Sequence, residues 1–189
     1  MKKILTTLCA VAMLAGCTAG GSKKSSTNTS TKEETAATVM VGTGSVTSVS
    51  NKAKEGSDTA AQFDTTFASV VLEGNVIKYV YFDVAQDKVT YDATGHVTSD
   101  NTASTSKKAL GDKYGMKDKS SIKKEWYEQV EALEKWAVGK TVEEVLTMPT
   151  TQKDEKHTVT ADKDLMTGCT ISVTAFQQAL DKAAKNAVE

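Results

Sequence analysis

Phe67-Ala68-Ser69-Val70-Val71-Leu72-Glu73-Gly74-Asn75-Val76-Ile77-Lys78-Tyr79-Val80-Tyr81-Phe82-Asp83-Val84 is the stretch on which the fold turns. Two runs rich in β-branched and aromatic residues flank Glu73-Gly74-Asn75. Gly74-Asn75 suits a tight turn, so the segment predicts a β-hairpin. Tyr79, Tyr81 and, further on, Val89 alternate with other residues as in a sheet with one packed face. Upstream, the run from Val39 to Val49 is again β-rich, and its glycines, Gly42 and Gly44, predict a bulge or a sharp bend. Asp92-Ala93-Thr94-Gly95 closes this part of the chain with another turn.

Helical signals take over from about Ser104. Ser121 reads as the N-cap of a helix running from Ile122 to about Val138, with Gly139 as its stop. Ile122, Trp126, Val130, Leu133 and Ala137 make one apolar stripe, flanked by Tyr127 and Trp136. A shorter helix is predicted over 141–146, ahead of Met148-Pro149. A last one runs over 174–187, with Phe176, Leu180 and Ala184 on one face. Strands first and helices later predict an α+β fold, an antiparallel sheet with helices packed on it, rather than a doubly wound parallel sheet.

The amino terminus has its own pattern. Met1-Lys2-Lys3 is a short positive segment, Ile4 to Leu14 is mostly apolar, and Leu14-Ala15-Gly16-Cys17 closes it with a small-residue cleavage site of secretory type. The apolar run is too short to cross ~30 Å of hydrocarbon as a helix. The Ser/Thr/Lys tract after it has no apolar periodicity and cannot offset its conformational entropy by burial. It reads as a flexible tether with a reach on the order of 25 Å. The expected division is therefore residues 1–16 as a signal peptide, 17–37 as Cys17 and a tether, and 38–189 as one globular domain.

Cysteine and charge narrow the function. Of three cysteines, Cys9 lies in the segment expected to be removed, Cys17 stands at the cleavage site, and Cys169 is left without a disulfide partner. The two histidines, His96 and His157, are far apart in polar stretches and read as surface residues, so a structural zinc site is not expected. With 23 basic and 24 acidic residues the chain is formally −1, and losing Lys2 and Lys3 takes it to about −3. Every basic residue is lysine. Without a basic footprint or a guanidinium to read phosphate and guanine, nucleic-acid binding is discarded.

Three segments compete for the chemistry. Gly42-x-Gly44 lacks both the remaining glycine and the lysine of a phosphate loop and the third glycine of a dinucleotide fingerprint, which leaves a strand feature. Asp92-Ala93-Thr94-Gly95 reads as a turn. Asp164-Leu165-Met166-Thr167-Gly168-Cys169-Thr170 has two readings. In one, Thr170 or Ser172 caps the last helix and Gly168 permits an unusual backbone angle. In the other, Thr170 is an acceptor hydroxyl.

The second reading comes from a resemblance. The segment resembles the Asp-x-x-Ser/Thr-Gly-Ala/Cys-Thr acceptor of the FMN-binding domain family. Leu110 to Lys117, Lys124 to Tyr127 and Val138 to Val142 resemble stretches of its flavinylated lipoproteins from Gram-positive extracellular electron transfer. The likeness spans roughly residues 40 to 185, and Cys169 and Thr167 stand where alanine and serine are more frequent. It implies an FMN-binding domain-like fold, with FMN joined by a phosphodiester to Thr170 by an ApbE-type flavin transferase that uses FAD. Asp164 would be recognised by that transferase or orient the loop, Gly168 would allow close approach, and a helix starting just after Thr170 would point free amides at the phosphate. Met166, Thr167 and Cys169 complete the acceptor loop, with Cys169 a small loop residue rather than a redox partner. Tyr114, Gly115 and Met116 would lie beside the flavin ring, whereas Trp126 belongs to the core. Leu14 to Cys17 likewise resembles a lipobox, which implies a diacylglyceryl group on Cys17 and an anchor on the extracytoplasmic face of the membrane. The implied function is an electron carrier rather than an enzyme, fed by a membrane NADH dehydrogenase or the quinone pool. Two alternatives stay open: a lipoprotein that holds flavin or another small molecule non-covalently, and a source of a signalling peptide cut from the signal tail.

Overall fold

The computed structural model describes residues 37–52, 59–99 and 105–189. The expected signal peptide, Cys17 and nearly all of the expected tether lie outside the described residues.

The fold is α+β. Strands β1 (Val39–Lys52), β2 (Thr59–Glu73) and β3 (Val76–Tyr91) form an antiparallel sheet in the order β1-β2-β3. Gly74 turns the β2–β3 hairpin at φ 61°, in the left-handed region that glycine adopts without steric cost. One face of the sheet is apolar and buried: Ala68, Val70 and Leu72 from β2, and Ile77, Val80, Phe82 and Val84 from β3. Tyr79 and Tyr81 do alternate with this row, but on the open face, where they are 54% and 38% exposed.

The bulge expected in β1 is absent. Its register with β2 runs without a slip from Val39↔Glu73 to Lys52↔Ala60. Gly42 and Gly44 serve packing instead. A Cβ on Gly42 would stand 2.0 Å from the carbonyl oxygen of Ala183, and one on Gly44 would stand 2.4 Å from the backbone nitrogen of Ala183. Both atoms belong to the last helix, which rests directly on the strand.

Helix α1 (Lys107–Leu110) is capped by Ser106, whose hydroxyl also donates to the Asp83 carboxylate at 2.6 Å. Helix α2 (Trp126–Ala137) starts four residues later than its apolar stripe predicts. Lys123 has φ 53°, which no helix interior tolerates, so Ser121 is not the cap. Glu125 is, in a reciprocal capping box with Glu128. Trp126, Val130, Leu133 and Ala137 are buried as expected, and Gly139 ends the helix at φ 86°. Helix α3 (Val142–Leu146) has its own capping box, Thr141 with Glu144. Helix α4 (Thr174–Lys185) buries Phe176, Ala179, Leu180 and Ala183. A small hairpin of β4 (Thr150–Gln152) and β5 (Thr158–Thr160), not foreseen, lies between α3 and α4.

The free edge of β3 is covered. Phe82 donates its N–H to Glu134 at 2.6 Å, and the same carboxylate oxygen receives Lys108 Nζ at 2.6 Å. Further along, Gly139 donates to the Ile77 carbonyl and Ile77 to that of Lys140, each at 2.8 Å. Pairing these groups removes a template for unwanted strand addition. At the hairpin end of the sheet Val188 exchanges hydrogen bonds with Val41, and Thr38 accepts from Gly74. Among the described residues no helix is long and apolar enough to cross a membrane.

Candidate functional site

Strands of 14 to 16 residues outrun the helices packed on them. Beyond the core the inner face of the sheet turns polar, and loops close over it to leave a cleft of about 810 Å³. One wall is the sheet, with Gln62, Asp64, Thr66, Val84 and Gln86. The facing walls carry Tyr114, Gly115, Met116, Trp126, Gln129, Thr170 and the first turn of α4 at Ala175 and Phe176. The volume lies in the usual range for small-molecule sites, ~300–1,000 Å³.

Two side chains on the first turn of α2 hold the loops in place. Glu125, buried, accepts the backbone N–H of Met116 at 2.8 Å and that of Lys117 at 3.1 Å, which fixes the Tyr114–Met116 loop. Gln129, fully buried one turn on, receives the Thr170 N–H at 2.9 Å and the Thr170 Oγ1 at 3.2 Å. A backbone N–H can only donate, so the amide oxygen faces Thr170 and the hydroxyl proton points at Gln129. The Gln129 amide nitrogen in turn donates to the Lys124 carbonyl at 3.1 Å and to Ser120 Oγ at 3.2 Å. One amide thus ties Thr170 to α2, leaving the threonine half-buried at the cleft wall.

The charges are arranged unevenly. Lys107 stands over the rings of Tyr114 and Trp126, 5.1 and 5.5 Å from their centroids, and Lys153 Nζ is 3.4 Å from the Thr170 carbonyl oxygen. Asp64 receives the side-chain amides of Gln62 at 2.8 Å and Gln86 at 2.5 Å. Asp154 is held below the usual carboxylate range by the Lys156 backbone N–H and by His157. Both carboxylates are hydrogen-bonded by neighbours and line the same cleft as the two lysines, so the cleft carries charges of both signs.

Of the residues picked out by sequence, Tyr114, Gly115, Met116 and Thr170 meet at this cleft. Asp164, Met166 and Thr167 do not line it; they are exposed on the outer side of the loop, around a 3-10 turn at Leu165–Thr167. Gly168 and Cys169 are buried behind it. The expected unusual angle at Gly168 is not found, since its φ is −113°. What demands glycine there is Ala132 of α2, whose Cβ would lie 2.8 Å from an added Cβ. Burial pushes the Cys169 thiol up to about 11, which makes it inert at neutral pH and agrees with a packing role.

Two further expectations are corrected. Helix α4 does not begin just after Thr170: Ile171, Ser172 and Val173 intervene, the cap position is Val173, and neither Thr170 nor Ser172 caps the helix. Trp126 is buried at 4% exposure as expected, yet its ring also forms part of the cleft wall. His157, read as a surface residue, does stand exposed, and it borders the cleft beside Asp154. Gln129, Gln62, Asp64, Gln86, Lys107 and Lys153 gave no signal in the sequence. Among the described residues no group of three or more His, Cys, Asp or Glu side chains converges as a metal site. Compared with known proteins, the chain matches no family model, no curated protein and no solved structure.

Proposed function

We propose that this chain is a lipid-anchored electron carrier of the extracytoplasmic membrane face, with an FMN-binding domain-like fold and FMN held through a phosphodiester on Thr170. The observation that carries the reading is the meeting of Thr170 with Tyr114, Gly115 and Met116 at one cleft, as the resemblance implies for an attachment site beside its flavin ring. The residues present fit the group. The volume accommodates a tricyclic ring, and Tyr114, Trp126 and Met116 offer aromatic and thioether surfaces to its faces. Lys153, beside Thr170, supplies positive charge for a phosphate, and the first turn of α4 borders the same cleft at Ala175 and Phe176.

A threonine hydroxyl is a weak nucleophile, so an ApbE-type transferase must supply the base and the metal. The Thr170 oxygen bonds to the flavin-side phosphorus of FAD, the pyrophosphate bond breaks, AMP leaves and the hydroxyl proton passes to that base. Asp164, Met166 and Thr167, on the outer side of the loop, form the surface the transferase would read. Once attached, FMN supplies one- and two-electron chemistry, while the protein sets its position and exposure. A membrane NADH dehydrogenase or the quinone pool is the donor.

The test is the intact mass of the full chain, in detergent and under denaturing conditions, after incubation with and without transferase and FAD. The expected result is an added mass of FMN less water that requires the transferase and is absent from Thr170→Ala. An unmodified wild type, with a transferase active on another substrate, would refute covalent attachment. The Gln129 bond to the Thr170 hydroxyl favours the second reading, non-covalent binding in the same cleft, which that outcome would leave standing.

A further inference from the structure

We propose that Gln62, Asp64 and Gln86 form a shelf that recognises the edge of a flat heteroaromatic ring bearing an N–H between two carbonyls. Gln62 and Asp64 lie two apart on β2, and Gln86 is the cross-strand partner of Asp64 on β3, so all three project from the same face of the sheet. That face is the inner one, beyond the end of the apolar row, and all three line the cleft half-buried.

The carboxylate fixes both amides. Asp64 accepts Gln62 Nε2 on one oxygen and Gln86 Nε2 on the other. A carboxylate can only accept, so the amide nitrogens must turn toward it and the amide oxygens away. Each glutamine keeps a carbonyl oxygen and a second N–H that Asp64 does not engage. Two pre-oriented amides therefore offer donors and acceptors side by side, the complement of an acceptor–donor–acceptor edge. The opposite walls are aromatic and thioether surface, at Tyr114, Met116, Trp126 and Phe176. A ligand with a flat apolar body and such an edge satisfies both surfaces, whereas a simple aromatic or aliphatic one leaves the amides facing nothing.

This assignment deepens the flavin reading, on which it rests for the identity of the ring, and gives that ring a direction: phosphate toward Thr170 and Lys153, polar edge toward β2 and β3. Strand residues of this kind read in a sequence only as the polar half of an alternation, which is why none of the three stood out.

The experiment is a fluorescence-quenching titration of the full chain in detergent with riboflavin, which lacks the phosphate and cannot be attached, and with N3-methylriboflavin, which lacks the edge N–H. Riboflavin is expected to bind at least tenfold more tightly than its N3-methyl analogue. Gln86→Leu and Gln62→Leu are expected to weaken riboflavin at least tenfold and to abolish the discrimination, with their melting temperatures measured alongside. Equal affinity for the two ligands, absence of riboflavin binding by the wild type, or wild-type binding by the leucine variants would each overturn the assignment. The ligand comparison needs no variant to fold. FMN attachment at Thr170 without ring discrimination would sink the shelf and leave the carrier reading intact. Discrimination without attachment would do the reverse.

Discussion

Replacing Gly168 with alanine puts a methyl group 2.8 Å from the Cβ of Ala132, where ordinary contact begins at 3.4 Å, so the loop and α2 must part by about 0.6 Å. Overpacking of this kind costs ~1–3 kcal/mol. The same shift stretches the 3.2 Å bond from Thr170 Oγ1 to Gln129 to roughly 3.8 Å, outside hydrogen-bonding range. The partner change Ala132→Gly removes the obstructing methyl but places glycine inside α2, at a cost of ~1 kcal/mol. Independent effects would sum to ~2–4 kcal/mol in the double variant; if the clash is the cause, the double variant loses only the helical penalty of ~1 kcal/mol. Urea unfolding followed by tryptophan fluorescence measures all four proteins, and hydrogen exchange at the Thr170 amide reports the clamp directly. Protection of that amide should fall in Gly168→Ala and recover in the double variant. Additivity within ~0.5 kcal/mol, or protection unchanged throughout, would show that Gly168 is not there to admit α2.

Gly42→Ala should be worse, because its obstacle is the Ala183 carbonyl at 2.0 Å, backbone that cannot rotate away. A loss of about 3 kcal/mol or more, ~6–12 °C in Tm, is expected, against ~1 kcal/mol for Gly95→Ala, whose added Cβ meets open space at φ 87°. Cys169, with its folded pKa raised to about 11, leaves stability intact below the unfolded thiol's ordinary pKa, near 9. As pH climbs from 9 toward 11 only the unfolded chain ionises, so the wild type should lose about 2–3 kcal/mol that Cys169→Ala does not lose, a difference visible in urea midpoints measured across that window. Glu134→Leu strands the Phe82 N–H and the Lys108 ammonium together and should cost about 2–4 kcal/mol. Glu134→Gln, which keeps an acceptor, should recover roughly half of that in the same unfolding assay.

The β2–β3 hairpin, α3 and most of α4 were legible because their signals are local: Gly74 between β-branched runs, Thr141 before Glu144, and an apolar row at helical spacing. The start of α2 was not, because two capping signals compete and the loop geometry at Lys123 decides for Glu125. Gly42 and Gly44 say only that a side chain is unwelcome. Whether a bulge or a helix excludes it depends on α4, more than a hundred residues downstream in the chain. The site follows the same division. Thr170 and the Tyr114–Met116 loop carry recognisable letters, whereas Gln129, Asp64 and Gln86 acquire meaning only from what the fold sets opposite them.

The bonds joining Thr38 to Gly74 and Val41 to Val188 bear on presentation as much as on stability. They bring both ends of the domain to the hairpin end of the sheet. Ser48, at the cleft margin, stands nine residues along β1 from Val39, about 30 Å of strand away. Whatever holds the chain by residues before Thr38 therefore grips it by its base, with the cleft at the far tip. A surface or electrode joined through either end of the domain would therefore leave the opening of the cleft clear.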